Sequence, residues 1–450
     1  MRRQELSRPW FVPLLAVLLG LIFCRYALQI PVPKVTFLVL LGMMAVFGGL
    51  RELLAVWILL IPLHESVDFY YSLVICLLAA VGKHYRKIRI NRSVLLVLAL
   101  VIWELLHCFR PDFSPMDMLI SVLPLMTLAV MMAFDLEDLD YGFLVRCFAA
   151  STASIGITML GQVLCWCDFS IPRAMTQLRR LGVVLESSGN SGITGGTIQT
   201  NSLGIICVLA VTGLLQLRSV KESRKGDTLL ILLLLTLGTL TSSRTFLACL
   251  AVMVFLLILG QEGGMGKKLR FFGAMAVIAV LVLIFLQLCF PDLLSYYVSR
   301  FTERDITTGR DVLMAKYHDF LIRNPKVLLF GTGLQNFGHK LTVEHRIASN
   351  VPHNCIQEVL IAWGLPGLVL CGGLVLTVMG KSGDHNRGRK LLNYIPLLIL
   401  LFKSLAGQLL TSGYSMLALS YCYLSLCRDF RPSEINRLFC GFPDVESAAE

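Results

Sequence analysis

The amino-acid sequence predicts an all-α fold, a polytopic transmembrane helical bundle of about 12–14 spans with a large, partly helical extracytoplasmic loop. Three observations predict it. Hydrophobic residues make up 56% of the 450 positions and charged residues only 15%, far from the balance of a soluble domain of this length, so the apolar stretches must face lipid. Those stretches recur with lengths close to the roughly 20 residues a helix needs to cross a bilayer core. The basic residues, which give a net charge of +11, fall mostly into short loops between the apolar runs. In a soluble chain that charge would suggest a nucleic-acid partner; here it carries topology, and no nucleic acid is expected.

Taken in order, Met1-Arg-Arg3 and the apolar run Phe11 to Cys24 have no small-residue cleavage site after them, which makes this segment a retained first span and start-transfer anchor. With the first centred near residue 18, further spans centre near residues 42, 58, 76, 100, 125, 154, 209, 235, 253, 280, 367, 400 and 420. The third and fourth are interrupted by Pro62, His64, Glu65 and Asp68, which leaves twelve spans plus a re-entrant hairpin as the alternative count. An inside N-terminus puts Lys83, Arg86, Lys87, Arg89 and Arg92 in one cytoplasmic loop and Arg218, Lys221, Arg224 and Lys225 in another. Lys267, Lys268 and Arg270, then Lys381, Arg387, Arg389 and Lys390, then Arg428, Arg431 and Arg437 follow the same alternation, so both termini are cytoplasmic. The acidic stretch Asp135 to Asp140 is an inner turn; its Asp138-Leu-Asp140 resembles a metal–sugar motif but falls on the wrong face for one. The fourteen cysteines are scattered through apolar runs, as at Cys76, Cys207, Cys249 and Cys371, without metal-ligand spacing, and Cys165-Trp-Cys167 is too close for an unstrained bridge.

The chain divides into N-terminal transmembrane helices (1–165), a first outer loop (166–200), central transmembrane helices (201–290), a large outer catalytic loop (291–354), C-terminal transmembrane helices (355–427) and a polar cytoplasmic tail (428–450). Long loops on a rigid scaffold commonly carry function, so the chemistry is sought on the outer face. In the large loop, Thr307-Thr-Gly-Arg-Asp311, then Val312 to Arg323, then Asn324-Pro325 read as capped start, amphipathic body and stop of a helix, with Leu313, Tyr317, Phe320 and Leu321 as its apolar stripe. Arg310 in its first turn is opposed by the helix dipole and joins the free amides in attracting an anion. Arg244, in Thr241-Ser-Ser-Arg-Thr245 between two closely spaced apolar runs, sits at the outer membrane surface, where a guanidinium needs a partner such as a phosphate. His353, in Val351-Pro-His-Asn354 at the outer end of the next run, stands in a first helical turn that disfavours imidazolium, and a neutral ring is what a general base requires. Gln357 shares its face, and Asn354 and Glu358 share the neighbouring one. Within the spans, Glu104 and Lys403 read either as polar-path residues or as a buried pair.

Read in sequence, Gln199-Thr-Asn201, Thr241-Ser-Ser-Arg244, Thr308-Gly-Arg310, Asn324-Pro325, Phe330-Gly-Thr-Gly333 and Pro352-His-Asn354 continuing to Trp363-Gly-Leu-Pro-Gly367 resemble the O-antigen ligase and polymerase family of bacterial membrane glycan enzymes, over roughly residues 195 to 370. The resemblance implies a polyprenyl-diphosphate-linked glycan as donor, a hydroxyl of another glycan or lipid as acceptor, a membrane setting, a chain-length regulator as partner, and transfer without cofactor, metal or nucleotide sugar. It implies that Arg244 and Arg310 engage the diphosphate, that His353 is the essential histidine and that Asn201 is the asparagine that opens the span; Asn354, Gln357 and Glu358 are supporting candidates from their placement beside His353. Gln199 and Thr200 depart from the family's aspartate and proline before the asparagine. The motifs do not separate polymerase from ligase; the polymerase is the reading carried forward. A transporter or flippase of lipid-linked glycans is the alternative, although neither matched Gly/Pro-broken spans nor an internal repeat marks one.

Overall fold

The computed structural model describes residues 9–108, 115–134, 136, 140–186, 189–192, 197–219, 222–260, 265–302, 309–334, 352–380, 387–405, 407, 410 and 413–427. A backbone in lipid must satisfy its own hydrogen bonds, and the apolar runs do so as helices. These are α1 (Phe11–Tyr26), α2 (Lys34–Phe47), α3 (Leu50–Leu63), α4 (Phe69–His84), α5 (Arg92–Cys108), α6 (Pro115–Ala133), α7 (Tyr141–Trp166), α8 (Ile171–Gln177), α9 (Thr200–Ser219), α10 (Lys225–Leu240), α11 (Arg244–Gly260), α12 (Met265–Cys289), α13 (Pro291–Thr302), α14 (Arg310–Arg323), α15 (Pro325–Phe330), α16 (Cys355–Met379), α17 (Arg387–Leu405) and α18 (Gly413–Cys427). Every predicted span centre lies inside one of them. The chain is nearly all-α, and the exception among the described residues lies between α8 and α9, where β1 (Leu178–Arg180), β2 (Val183–Glu186) and β3 (Gly189–Gly192) form an antiparallel sheet in the order β1-β2-β3. Period-two alternation there is too short to have signalled strands.

Among the described residues, three helices are long and apolar enough to cross a membrane: Tyr141–Trp166, Thr200–Ser219 and Cys355–Met379. Val280–Cys289 and Pro291–Ser299 pass as a pair bent by 119°, and six further apolar helices of 10–17 residues are shorter. Polar breaks shorten some of the other apolar helices. The third and fourth segments show how: the His64 to Asp68 interruption leaves two separate helices of 14 and 16 residues.

Helix α3 is buried along its whole length and α9 nearly so, with α7 packed on both. Lipid tails are as apolar as leucine, so close approach of backbones rather than water exclusion holds such helices together. Ala149, Ser151, Thr152, Ala153, Gly156 and Gly161 supply that closeness on α7; a Cβ at Gly156 would stand 2.6 Å from the Leu237 side chain.

Side-chain contacts sort the helix ends into two sets. In one, Arg51 meets Asp140 at 3.4 Å, Arg146 meets Asp227 at 3.0 Å and the Glu222 carbonyl at 2.7 Å, and Asn91 donates to the Met132 carbonyl at 2.7 Å. In the other, Tyr26 donates to the Ser66 carbonyl at 2.8 Å, Thr200 to the Leu181 carbonyl at 3.0 Å and Asn354 to the Leu405 carbonyl at 3.1 Å.

An interlock that the two glycine motifs build joins the segment after α15 to the break in α16. Helix α16 breaks at Gly364 (φ 66°), and Pro366 has no N–H to offer the Ala362 carbonyl four residues back. The freed carbonyls turn to the Phe330-Gly-Thr-Gly333 segment: Ile361 accepts from the Thr332 amide at 2.7 Å and hydroxyl at 3.0 Å, and Ala362 accepts from the Gly333 amide at 2.7 Å. Backbones approach so closely that a Cβ at Gly331 (φ 79°) would lie 2.3 Å from the Ala362 oxygen, and one at Gly364 would lie 2.5 Å from the Leu329 oxygen. Helix α5 seals the joint. Buried Glu104 accepts from Trp363 Nε1 at 2.7 Å and the Leu334 amide at 3.1 Å, Trp103 donates to the Trp363 carbonyl at 2.9 Å, and the His107 ring meets the Phe330 carbonyl at 2.8 Å. Glu104 thus serves this joint, while Lys403 lies beside Ser415 and the Tyr414 ring. Gly331→Ala combines a positive φ with an impossible contact and is expected to cost roughly 2–4 kcal/mol. A thermal unfolding scan in detergent that showed no drop would contradict the interlock.

Candidate active site

Asn354 fixes the first turn of α16. Its Oδ1 accepts from the amides of Ile356 at 3.0 Å and Gln357 at 3.2 Å, satisfying two otherwise orphaned donors, while its Nδ2 reaches the end of α17. His353 therefore stands one residue before the cap in the left-handed region (φ 55°), not in the first turn as the sequence reading had it. The ring is half-buried. The side chains expected on its face and the neighbouring one are used otherwise. Gln357 donates from Nε2 to the Met314 carbonyl at 2.9 Å, binding α14 to α16, and Glu358, fully buried, accepts from the Leu410 amide at 3.0 Å.

Helix α14 matches its prediction closely. It runs Arg310–Arg323 behind Gly309 (φ 76°), ends at Asn324, and buries Tyr317, Phe320 and Leu321; Pro325 then opens the short α15, which the sequence reading took as a stop. Thr307 and Thr308 lie outside the described residues. Arg310, half-buried at the start of α14, is close enough to act electrostatically on His353, and so is Lys403 from α17. Burial first, then the Arg310 guanidinium, then the Lys403 ammonium hold the imidazole below its ordinary value of 6.5. These causes, and not a place in the first turn of α16, favour the neutral ring near pH 7. An NMR titration of His353 is expected to show a midpoint below 6.5, and Arg310→Gln to move it upward by removing a cation. A midpoint at or above that value would contradict this electrostatic arrangement.

A second group of residues forms where α9 and α11 begin. Arg244 opens α11 after the buried Thr241, Ser242 and Ser243, with Ser242 in a left-handed conformation (φ 48°). Asn201 lies in the first turn of α9, and its Oδ1 accepts from Arg180 Nη2 at 3.3 Å. The two groups are joined through the packing of α11 on α17. Lys403 acts on His353 in one and on Cys249 of α11, just below Arg244, in the other. The structure thus brings Arg310, His353, Asn354 and Gln357 together, with Glu358 behind them, and sets Asn201 against Arg180 beside the turn that leads to Arg244. Sequence reasoning missed Lys403 as a member of this region because it read the residue either as part of a polar path or as half of a buried pair. It missed Arg180 because nothing in the loop's composition marks a strand.

Residues 229–372 match the family model described as O-antigen ligase. The match supports an O-antigen ligase/polymerase family member, and with the apolar helices it supports an integral membrane protein of polysaccharide biosynthesis. The matched segment contains Arg244, Arg310, His353, Asn354, Gln357, Glu358 and both halves of the glycine interlock. Asn201, Arg180 and Lys403 lie outside it. No curated protein was found similar to the chain.

Proposed function

We propose that the protein transfers a glycan from a polyprenyl-diphosphate donor to a hydroxyl of an acceptor glycan or lipid on the outer face of the cytoplasmic membrane. The observation that carries this is that a cation, Arg310, lies close enough to act electrostatically on the half-buried imidazole of His353, inside the segment that matches the O-antigen ligase model. A glycosyl diphosphate brings its own leaving group, so catalysis needs charge stabilisation on departure and deprotonation of the incoming hydroxyl. His353 takes the hydroxyl proton, the acceptor oxygen forms its bond to the anomeric carbon, and the bond from that carbon to the diphosphate oxygen breaks. Arg310 and Arg244 bind the departing polyprenyl diphosphate with paired donors. Asn354 holds the histidine's position, Gln357 fastens α14 over the site, and Glu358 ties in the α17–α18 connection at Leu410.

In this reading the chain is multi-pass with both termini cytoplasmic. Outer loops 166–200 and 291–354 stand over central helices 201–290 and C-terminal helices 355–427. The sorting of helix ends supports it, since Arg51, Arg146 and Lys83 gather at one end and His353 and Arg310 belong to the other. Repeat-unit polymerisation is the favoured outcome, with a chain-length regulator as partner. The test is purified protein in nanodiscs with polyprenyl-diphosphate oligosaccharide as the only substrate, read by glycan ladder. Longer glycans establish a polymerase, and transfer to an added acceptor alone establishes a ligase. Unchanged glycan that crosses the bilayer would overturn the enzyme reading in favour of a transporter.

A further inference from the structure

The outer β-sheet delivers a third arginine to the mouth of α9 and α11. Strand β1 is fixed on both sides of Arg180. Before it, the Arg179 carbonyl accepts from Ser242 Oγ at 3.2 Å. After it, the Leu181 amide donates to the Leu240 carbonyl at 2.7 Å, and the Leu181 carbonyl accepts from Thr200 at 3.0 Å. Leu178, Leu181 and Val184 are buried beneath, so the strand is seated rather than laid on the surface. The register shifts between Leu178 and Arg180, which pair with Val184 and Val183 respectively, and a bulge of this kind re-aims a side chain. What it aims is the Arg180 guanidinium, toward Asn201 Oδ1 at 3.3 Å. The Ser242–Arg179 bond places Arg180 and Arg244 on either side of one contact, the former one residue and the latter two residues from it.

We propose that Arg180 is a further binding residue of this site, holding the anionic group of the donor together with Arg244, and that Asn201 acts through it as the residue that positions the guanidinium. This rests on the proposed lipid-diphosphate donor. It gives Asn201 a role that needs no contact with substrate, because an amide oxygen orients the fork while adding no negative charge to compete with a phosphate.

The test measures binding of a short-chain prenyl diphosphate, and of the matching uncharged prenyl alcohol, to the full chain in nanodiscs. Arg180→Gln is expected to weaken the diphosphate about tenfold, with little change for the alcohol, and to raise the donor KM more than it lowers kcat. Arg180→Lys should recover part of the loss. Asn201→Asp should match Arg180→Gln, because a carboxylate facing the guanidinium cancels its charge without removing it. Arg173→Gln, which only breaks an exposed pair with Asp168 in the same loop, should bind as wild type. Diphosphate binding that is unchanged in Arg180→Gln but weakened in Arg244→Gln would overturn the inference and leave the donor reading standing. A wild type that binds diphosphate no better than alcohol would overturn both. Should Arg180→Gln fail to fold, Arg180→Lys and Asn201→Asp decide: wild-type diphosphate binding in Asn201→Asp refutes the assignment.

Discussion

His353→Ala is expected to lower turnover of glycan transfer by about 10²–10⁴-fold, the range typical of a lost general base, with a smaller change in donor KM. The acceptor hydroxyl has a pKa far above 7 and becomes a competent nucleophile only as its proton leaves. His353 meets the requirement through its half-buried position before the Asn354 cap, and through burial and the cations Arg310 and Lys403, which keep the ring unprotonated. Those cations also set up a change on binding. A diphosphate that offsets their field raises the basicity of His353, so the base strengthens when the donor is in place. His353→Gln keeps polar character at the position without a proton-accepting nitrogen and should be as inactive as the alanine. Steady-state kinetics in nanodiscs would check this, and a glutamine variant with near-wild-type turnover would remove His353 from the chemistry.

Arg310→Ala is expected to reduce turnover by about 10²–10³-fold, comparable to removing one donor from a preorganised anion site. Arginine opens α14 even though a cation in a first turn gains nothing from the dipole, so helix stability does not explain its presence there. Arg310→Lys retains charge but loses the two-pronged fork, and should fall between alanine and wild type. Because Met314 of α14 is held by Gln357, the helix should remain docked in either variant. Full activity of Arg310→Ala in membranes would end the two-arginine scheme.

The sequence was most informative where physics leaves one solution. Apolar runs in lipid have to become helices, which is why all the predicted span centres fall within them. The helix Arg310–Arg323 was legible because a glycine, an amphipathic body and Asn324-Pro325 agree on its limits. What escaped depends on contacts between distant segments. Gly331, Gly364 and Pro366 could be seen as motifs, yet the interlock exists only because carbonyls freed in one segment meet amides from another. Asn354 was placed on a helical face beside Glu358, whereas its side chain forms the cap and displaces His353 out of the helix. Arg180 depends on a bulge in a three-residue strand, and Lys403 on the packing of α11 against α17, neither of which a local pattern encodes. Helix ends were less legible than centres, because an apolar centre does not reveal how far the helix extends around it.

The measurement that bears most directly on the central claim is the stoichiometry of the reaction: polyprenyl diphosphate released per glycosidic bond formed, counted for purified wild type and His353→Ala. The account predicts one released for each bond by wild type, and neither release nor bond formation above background by the variant. Bonds formed without release of polyprenyl diphosphate, or equal rates from the two proteins, would contradict it.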